Sequence, residues 1–575
     1  MMPLRFLILL VLFVTPVAAQ DVRVAASDQS VAILRSRRIK TDADAAELIT
    51  NLTRLRRTDA AGEVLVGIDD ADWNPRRKAE FVRRIPPAMR LRLQTATDLP
   101  DGAAAKLDAM LAALRTVSRD PATIDSDLDA VVEQTRDRSA AAERLSQAGE
   151  AAVARIAGRL LGGGVDTSTR SRLLATMLDI DPIAGDALVP AAVYGDPARA
   201  DRAATLLSAI DPRRYGPAVA AVRSSGDART AELLRDHFST LRDRSLGTRR
   251  GEATETVWSP AADDGVPSYT NADAAVAAAR RAVDAAAMIR RAGLQSPPDA
   301  ADALAADAGY RILSDADWGD DAQVQSLVAA HPDASLDAAI RGSIELDDAA
   351  ALLALVRVAA EQPELPPSLI RVVDSGQPIV RYEAAMTLAR RRGASGYADS
   401  TSVKRTLGEL ARMTDAPVAV VVETRREIAG LVAASLRDSG YGVERVTSVE
   451  SMRDRLARGG DIALVVAKLN LPDRTPLELV DRVREIPRTR DVPVVFYADP
   501  VVEGTLLFDT AQKPGVALPV IDRRHDAPVL QIDFPNSPRA FDALRRSIRS
   551  RRRVPTLSPA ERRLFRDEAT RLLTR

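Results

Sequence analysis

Apolar residues recur at helical spacing along most of the chain, from residue 20 to about residue 413. In residues 41–55 the apolar positions fall on one face of a predicted helix: Ala45, Leu48, Ile49, Leu52 and Leu55. Thr41 stands where a helix cap is expected, and Asp42 and Asp44 lie in the first turn, where the helix dipole favours negative charge. This pattern predicts amphipathic helices that each bury one face.

An internal repeat occurs between residues 140 and 231. The tripeptides Ile180-Asp181-Pro182 and Ile210-Asp211-Pro212 lie 30 residues apart (210 minus 180), and each separates two apolar helical segments. We expect a turn at each tripeptide. Because aspartate accepts backbone N–H groups and proline suits the first helical position, we also expect the next helix to start there. Segment 377–393 has a similar pattern with four residues expected to face inward: Val380, Ala384, Ala385 and Leu388.

These helical units resemble HEAT or armadillo repeats. The resemblance implies a solenoid in which each helix pair buries part of its apolar face and must stack on its neighbours. A non-repetitive helical domain is the alternative. The polar segment 246–271 interrupts the pattern and is predicted to be an extended loop or hairpin.

Four aromatic residues lie in or after this interruption: Trp258, Tyr269, Tyr310 and Trp318. They could stack on a ligand, and a hydrolase site around residues 258–269 is one hypothesis. Anchoring of the loop on the helical core is the favoured interpretation, because large aromatic side chains bury extensive surface.

The pattern changes after residue 415. Residues 418–422, 462–466 and 494–497 are unbroken aliphatic or aromatic runs. Residues 443–446 are predicted to form a short second strand, and amphipathic helical segments lie between the strands. Strands buried on both faces have this composition. The alternation of strand and helix therefore predicts a doubly wound parallel sheet.

The order of elements and the loop Leu469-Asn470-Leu471-Pro472-Asp473 resemble the receiver domain of two-component response regulators. Phosphorylation in that family needs an acidic pair after the first strand, an aspartate after the third, a hydroxyl after the fourth and a lysine after the fifth. The carboxylates hold Mg²⁺, and the aspartate accepts the phosphoryl group.

At the matching positions this chain has Glu423 and Thr424, Lys468, and Ala498. An ammonium group cannot accept a phosphoryl group as a carboxylate does, and it repels Mg²⁺. The resemblance therefore implies a degenerate receiver pocket and a pseudo-receiver that is not phosphorylated. Lys468 could pair with Glu423 in the vacated metal site, or it could point to solvent.

The fifth strand is left open by the sequence. Lys513-Pro514 has the dipeptide expected after it but lacks a preceding apolar strand. Residues 529–532 are the alternative, and no lysine follows them directly.

The N-terminus has the pattern of a signal peptide. Arg5 precedes an apolar run over residues 6–14, Pro16 breaks the run, and Val17-Ala18-Ala19 supplies small residues for cleavage. The run is shorter than the roughly 20 residues of a membrane span. We expect cleavage after Ala19 and export to the periplasm or beyond, with an uncleaved anchor or a buried helix as the alternatives.

The amino-acid composition limits the kinds of partner and of catalytic or metal site that the chain can have. The chain has 575 residues with 80 basic and 80 acidic side chains, so the charge balance gives no reason to expect a nucleic-acid partner. Cysteine is absent, which excludes thiol catalysis and thiolate metal sites. His237, His331 and His525 lack a second histidine at ligand spacing, and segment 522–526 fits a surface loop better than a weak cation site. We expect no cofactor and no metal.

The tail begins with segment 537–553, predicted as the last helix of the α/β domain, and six arginines lie between Arg545 and Arg553. A solvated helix face is favoured, because no aromatics interleave. Membrane contact is expected only through an uncleaved signal segment or weakly through this tail. A terminal helix follows, capped by Ser558 and Glu561, and its apolar residues are expected to dock on the α/β domain: Leu564, Ala569 and Leu572.

The predicted fold class is thus multidomain: an all-α helical-repeat solenoid followed by a doubly wound α/β, receiver-like (flavodoxin-like) domain. The predicted parts are a signal peptide (1–19), an N-terminal helical region (20–138), HEAT-like repeats (139–245), a polar loop or hairpin (246–271), further helical repeats (272–413), the receiver-like domain (416–550), and a basic linker with a C-terminal helix (551–575).

The favoured function is a non-enzymatic interaction scaffold of the cell envelope that binds an unidentified protein partner. A two-component signalling protein with an atypically active receiver is the second hypothesis. A hydrolase acting at segment 258–269 is the third.

Overall fold

The structure, a computed structural model, describes residues 31–34, 39–224, 226–248, 250–251, 253–261, 265–315, 317–394, 396–497 and 554–574, and the backbone alone of 516–517 and 529–532. The predicted signal peptide, Ala498, Lys513, the 522–526 segment with His525, and the arginine-rich stretch to residue 553 lie outside the described residues. The chain divides into two compact units, residues 1–184 and 185–575.

The first unit is helical throughout its described elements: α1 (Asp42–Arg54), α2 (Thr58–Gly67), α3 (Pro75–Arg83), α4 (Pro87–Gln94), α5 (Ala103–Ser118), α6 (Pro121–Val132), α7 (Arg138–Ala148), α8 (Glu150–Gly162) and α9 (Thr167–Ile180). The predicted cap of α1 is confirmed. The Thr41 side chain accepts a hydrogen bond from Asp44 N at 3.2 Å, and the Asp44 carboxylate accepts one from Thr41 N at 2.9 Å. Four of the five stripe residues are buried. Leu55 lies beyond the last helical turn and is exposed.

The second unit begins with four helices and a hairpin: α10 (Val189–Tyr194), α11 (Pro197–Ile210), α12 (Gly216–Arg223), α13 (Ala228–Gly247), β1 (Thr254–Ala261) and β2 (Pro267–Asp273). Eight helices follow: α14 (Ala274–Arg291), α15 (Pro297–Ser314), α16 (Asp321–Ala330), α17 (Leu336–Glu345), α18 (Ala349–Glu361), α19 (Leu369–Val372), α20 (Pro378–Arg392) and α21 (Ser400–Ala411).

The two Ile-Asp-Pro segments form turns as predicted, but the helices begin after the prolines and not at them. After the first, a 3₁₀ helix begins at Ala184, and after the second, α12 begins at Gly216. Asp181 and Asp211 do accept backbone N–H groups, from Ile183 at 3.0 Å and from Arg213 at 2.9 Å. These bonds hold the turn itself, because a short acidic side chain stabilises a turn as readily as a helix cap.

The polar interruption forms an antiparallel hairpin in which Trp258 lies opposite Tyr269. The two rings are 5.5 Å apart between centroids, and Trp258 is buried. Trp318 is also buried, within the core formed by α15, α18 and α20. These contacts support the anchoring interpretation for both tryptophans.

Helix α20 buries the four residues predicted to face inward. They lie in a continuous core that runs from α14 to α21 and also includes residues near the C-terminus. The chain is therefore largely helical up to residue 411.

A parallel sheet follows. Its strands are β3 (Val418–Val422), β4 (Gly442–Val446), β5 (Ile462–Lys468), β6 (Val494–Tyr497), β7 (Val516–Ala517) and β8 (Val529–Ile532). The order across the sheet is β4-β3-β5-β6-β8-β7, in which only β7 is antiparallel. The alternative fifth strand at residues 529–532 is thus confirmed, since it pairs in parallel with β6.

Helices cover both faces of this sheet. α22 (Arg426–Asp438) packs on one face through Val432 and Leu436. α23 (Val449–Ala457) and α24 (Pro476–Arg484) pack on the other through Met452 and Leu479. The part of the chain after residue 415 thus contains a parallel sheet with helices on both faces.

The terminal helix α25 (Pro559–Thr574) returns to the helical region and packs against α21. Ala569 and Leu572 join the core of α14–α21, together with Val554 and Leu557. The expectation that this helix docks on the α/β domain through all three apolar residues was wrong, because Leu564 is 68% exposed. The strands of the sheet thus lie, in chain order, between α21 and α25, and these two helices contribute to the same hydrophobic core.

Candidate functional site

The carboxyl ends of the parallel strands meet at one edge of the sheet, which we call the carboxyl edge. β3 pairs with β5 and β5 with β6, so Glu423, Thr424 and Lys468 come together there. Lys468 ends β5 opposite Tyr497, the last residue of β6. Thr424 is exposed and Lys468 is half-buried. The fourth predicted pocket residue, Ala498, lies outside the described residues.

Glu423 is the buried carboxylate of this edge, with 2% of its surface exposed. Its Oε2 accepts the Tyr497 hydroxyl at 2.7 Å, and its Oε1 accepts the Arg425 backbone N–H at 3.0 Å. The Arg425 guanidinium lies 3.2 Å from Oε2. Burial alone would raise the pKa of Glu423, but the hydrogen bonds from Arg425 and Tyr497 hold it below its usual range.

The pairing of Lys468 with Glu423 stays a prediction. A partner that the structure does show is Tyr497, whose phenol at the end of β6 reaches across β5 to the Glu423 carboxylate. Sequence reasoning treated Tyr497 only as a strand residue. The aromatic hydroxyl at the carboxyl end of a central strand was the signal that could have drawn attention to it.

The loop after β5 has a structural role. Leu469 N donates to Tyr497 O at 2.9 Å, which ties the loop to β6. Asp473 accepts the backbone N–H of Val449, the first residue of α23, at 2.8 Å. The acidic residue that follows Leu469-Asn470-Leu471-Pro472 therefore caps a neighbouring helix.

The opposite edge, where the strands begin, faces the helical region, and we call it the amino edge. Arg488, in the 3₁₀ helix Pro487–Thr489 just before β6, donates to Glu409 of α21. Its other nitrogens donate to Thr406 at 2.9 Å and to Asp374 at 3.0 Å. Arg381 of α20 approaches the second Glu409 oxygen at 3.9 Å.

This cluster is buried: Arg381 is 1% exposed, Glu409 4% and Arg488 8%. Burial lowers the pKa of Arg488, partly offset by Glu409. A second buried pair joins Arg562 of α25 to Asp461, which precedes β5. The amino edge therefore contacts helices that precede the sheet in the sequence (α20 and α21) and a helix that follows it (α25).

A third feature is a cavity of about 370 Å³ between α14 and α15, which sequence reasoning did not find. The buried Asp307 lines it, and the buried Asp284 on α14 pairs with the lining residue Arg280. Asp284 accepts Tyr194 Oη at 2.8 Å and Arg280 Nε at 3.0 Å. Asp307 lies 3.1 Å from His331 Nε2 and 3.1 Å from Arg311 Nε.

The two carboxylates differ electrostatically. Burial raises the pKa of Asp284, and its partners offset this only in part. Burial would also raise the pKa of Asp307, but hydrogen bonds from His331 and Arg311 hold it below its usual range. His331 thus has a defined partner although it has no histidine neighbour in sequence, because α15 brings Asp307 to it.

Within the part of the chain that the structure describes, no group of three histidine and acidic residues could hold a metal. No helix among those residues has the length and apolarity needed to cross a bilayer. No family model, curated protein or solved structure matches the chain. The functional argument therefore depends on the geometry of these sites.

Proposed function

We propose that the chain is a non-catalytic interaction scaffold of the cell envelope, and that its α/β domain is a receiver-like module that does not accept a phosphoryl group. The strand order β4-β3-β5-β6-β8, with helices on both faces, supports this because it is the order of flavodoxin-like folds, which include receivers. Export rests on the pattern of residues 1–19 alone.

One observation carries the proposal: both carboxylate oxygens of Glu423 are already hydrogen-bonded. A receiver's acidic pair must offer free oxygens to Mg²⁺, which demands octahedral coordination by oxygen ligands. Both oxygens of Glu423 already accept hydrogen bonds, from Arg425 and from Tyr497. A lysine at position 468 and a threonine at position 424 remove the remaining carboxylates of the family pattern.

The helical region supports the scaffold part of the proposal. Helices α14 to α21 share a continuous core, as expected of stacked helical repeats, and such stacks offer extended binding surfaces. The carboxyl edge lies at the strand ends opposite the amino edge, and Thr424 is exposed there, so we take this edge as a second candidate binding surface.

Phosphoryl transfer is tested by incubating the full chain with radiolabelled acetyl phosphate and Mg²⁺, beside a conventional receiver that is labelled under the same conditions. We expect no stable label on this chain. Stable labelling would contradict the proposal and favour the alternative of an atypically active receiver.

Scaffolding is tested by in-cell photo-cross-linking, with a photoreactive residue placed at Thr424 on the carboxyl edge. The matched control position is Leu564, which is exposed on α25. We expect a discrete cross-linked protein from position 424 that does not form from position 564. Identical patterns from both positions would contradict a specific surface at this edge.

A further inference from the structure

The cavity between α14 and α15 has an uneven distribution of charge. Three arginines line it (Arg280, Arg290 and Arg311) against one aspartate, Asp307. Arg280 is paired with Asp284 and Arg311 with Asp307. These two arginines are therefore neutralised inside the protein.

Arg290 differs from the other two arginines. It lies at the rim of the cavity, is exposed, and donates to the backbone oxygen of Ala330 at 3.0 Å. No carboxylate lies within ion-pair distance of it among the described residues. Its charge is therefore available to a ligand that enters the cavity.

The walls of the cavity suit a small apolar body. Ala286, Ala287 and Ala303 keep the space between the two helices open, because each side chain ends at Cβ. At the inner end, the Arg280 guanidinium lies over the rings of Tyr194 and Tyr310, 5.5 and 5.6 Å from their centroids. Such contacts fix the guanidinium plane and the aromatic faces.

We propose that this cavity binds a small organic anion, with a carboxylate or phosphate group at Arg290 and an apolar or ring-shaped body between the alanines and Tyr310. Its volume falls at the lower end of the range for small-molecule sites, and charged and polar side chains converge on it beside an apolar wall formed by alanines and Val283. An arginine fork matches the geometry of both kinds of anion. This site is independent of the α/β domain.

The experiment is isothermal titration calorimetry on the full chain with three probes of similar shape: benzoate, phenyl phosphate and the neutral phenol. We expect saturable binding of benzoate or phenyl phosphate, and at least about tenfold weaker binding of phenol, because an ionic hydrogen bond is lost. Comparison of the two anions distinguishes a carboxylate ligand from a phosphate ligand. No saturable binding of either anion at millimolar concentration would overturn the proposal.

Two variants locate the binding. Arg290→Gln should weaken anion binding about tenfold and leave the weak binding of phenol unchanged. Ala287→Leu should weaken binding of both anions by filling the cavity. The matched control is Arg281→Gln on the same helix, since Arg281 pairs with Glu255 and does not line the cavity. Anion binding that is unchanged in Arg290→Gln, or equally weakened in Arg281→Gln, would overturn the assignment.

Discussion

The two edges of the sheet treat buried charge in different ways. At the amino edge, Glu409 is shared by two arginines, and the cluster joins the α/β domain to the helical region. At the carboxyl edge, Glu423 is held by Arg425 and Tyr497 within the domain itself. The amino edge therefore attaches the domain to the helical region, whereas the carboxyl edge is held by contacts within the domain. We infer that the domain presents a constant surface.

The largest effect should come from Glu409→Ala. This change leaves Arg381 and Arg488 buried without their shared carboxylate, which typically costs about 3–5 kcal/mol. Urea unfolding followed by circular dichroism should show a correspondingly lower midpoint. The matched control is Glu450→Ala, whose pair with Arg453 is exposed and should contribute about 0–1 kcal/mol. Equal effects of the two variants would contradict the attachment described for the amino edge.

Tyr497→Phe should have the next largest effect. The variant keeps the ring in the core but removes the hydroxyl that donates to Glu423, a bond to a charged group worth about 1.5–3 kcal/mol. Urea unfolding measures the loss. Tyr269→Phe, in the hairpin, is the control and should change stability by less than about 0.5 kcal/mol. An unchanged free energy of unfolding in Tyr497→Phe would mean that this hydrogen bond to Glu423 does not stabilise the fold.

The pH dependence gives a third test at Glu423. Its pKa is lowered in the folded protein, whereas an unfolded glutamate titrates near about 4.3. The ionised group therefore stabilises the fold above that pH, and this contribution is lost as the pH falls through the lower folded pKa. Unfolding free energies measured between about pH 7 and 3 should fall more steeply for the wild type than for Glu423→Gln. Parallel curves would contradict the hydrogen-bonded state of the carboxylate.

The smallest effect is expected at Thr424. Its side chain is exposed at the carboxyl edge, so Thr424→Ala should change the free energy of unfolding by no more than about 0.5 kcal/mol. If the carboxyl edge is a binding surface, the same variant should still alter the cross-linking or affinity of the partner. A large loss of stability would show instead that Thr424 supports the fold.

Much of the fold followed from patterning. Strands β3 and β6 begin and end at the predicted residues, because runs such as Val418–Val422 are buried on both faces. The inward face of α20 was also predictable from its spacing. The turns at Asp181 and Asp211 were predictable too, but the residue at which the next helix begins was not, since an aspartate followed by proline suits a turn and a helix start equally well.

The sites were harder to predict than the fold. Sequence identified Glu423 and Lys468 as neighbours but not Tyr497 as the partner of Glu423, because that contact spans two strand positions and 74 residues. The pairing of His331 with Asp307 depends on the packing of α15 against the end of α16. Contacts of this kind carry no local periodicity, so spacing alone does not predict them.

The central claim is that the α/β domain is fixed to the helical region and does not switch. Hydrogen–deuterium exchange of the full chain, with and without Mg²⁺ and beryllium trifluoride, tests it most directly. We predict slow exchange at the Arg488 segment before β6 and no change anywhere in β3, β5 or this segment when the phosphoryl analogue is added. Altered exchange at the carboxyl edge together with loosening around Arg488 would contradict the claim.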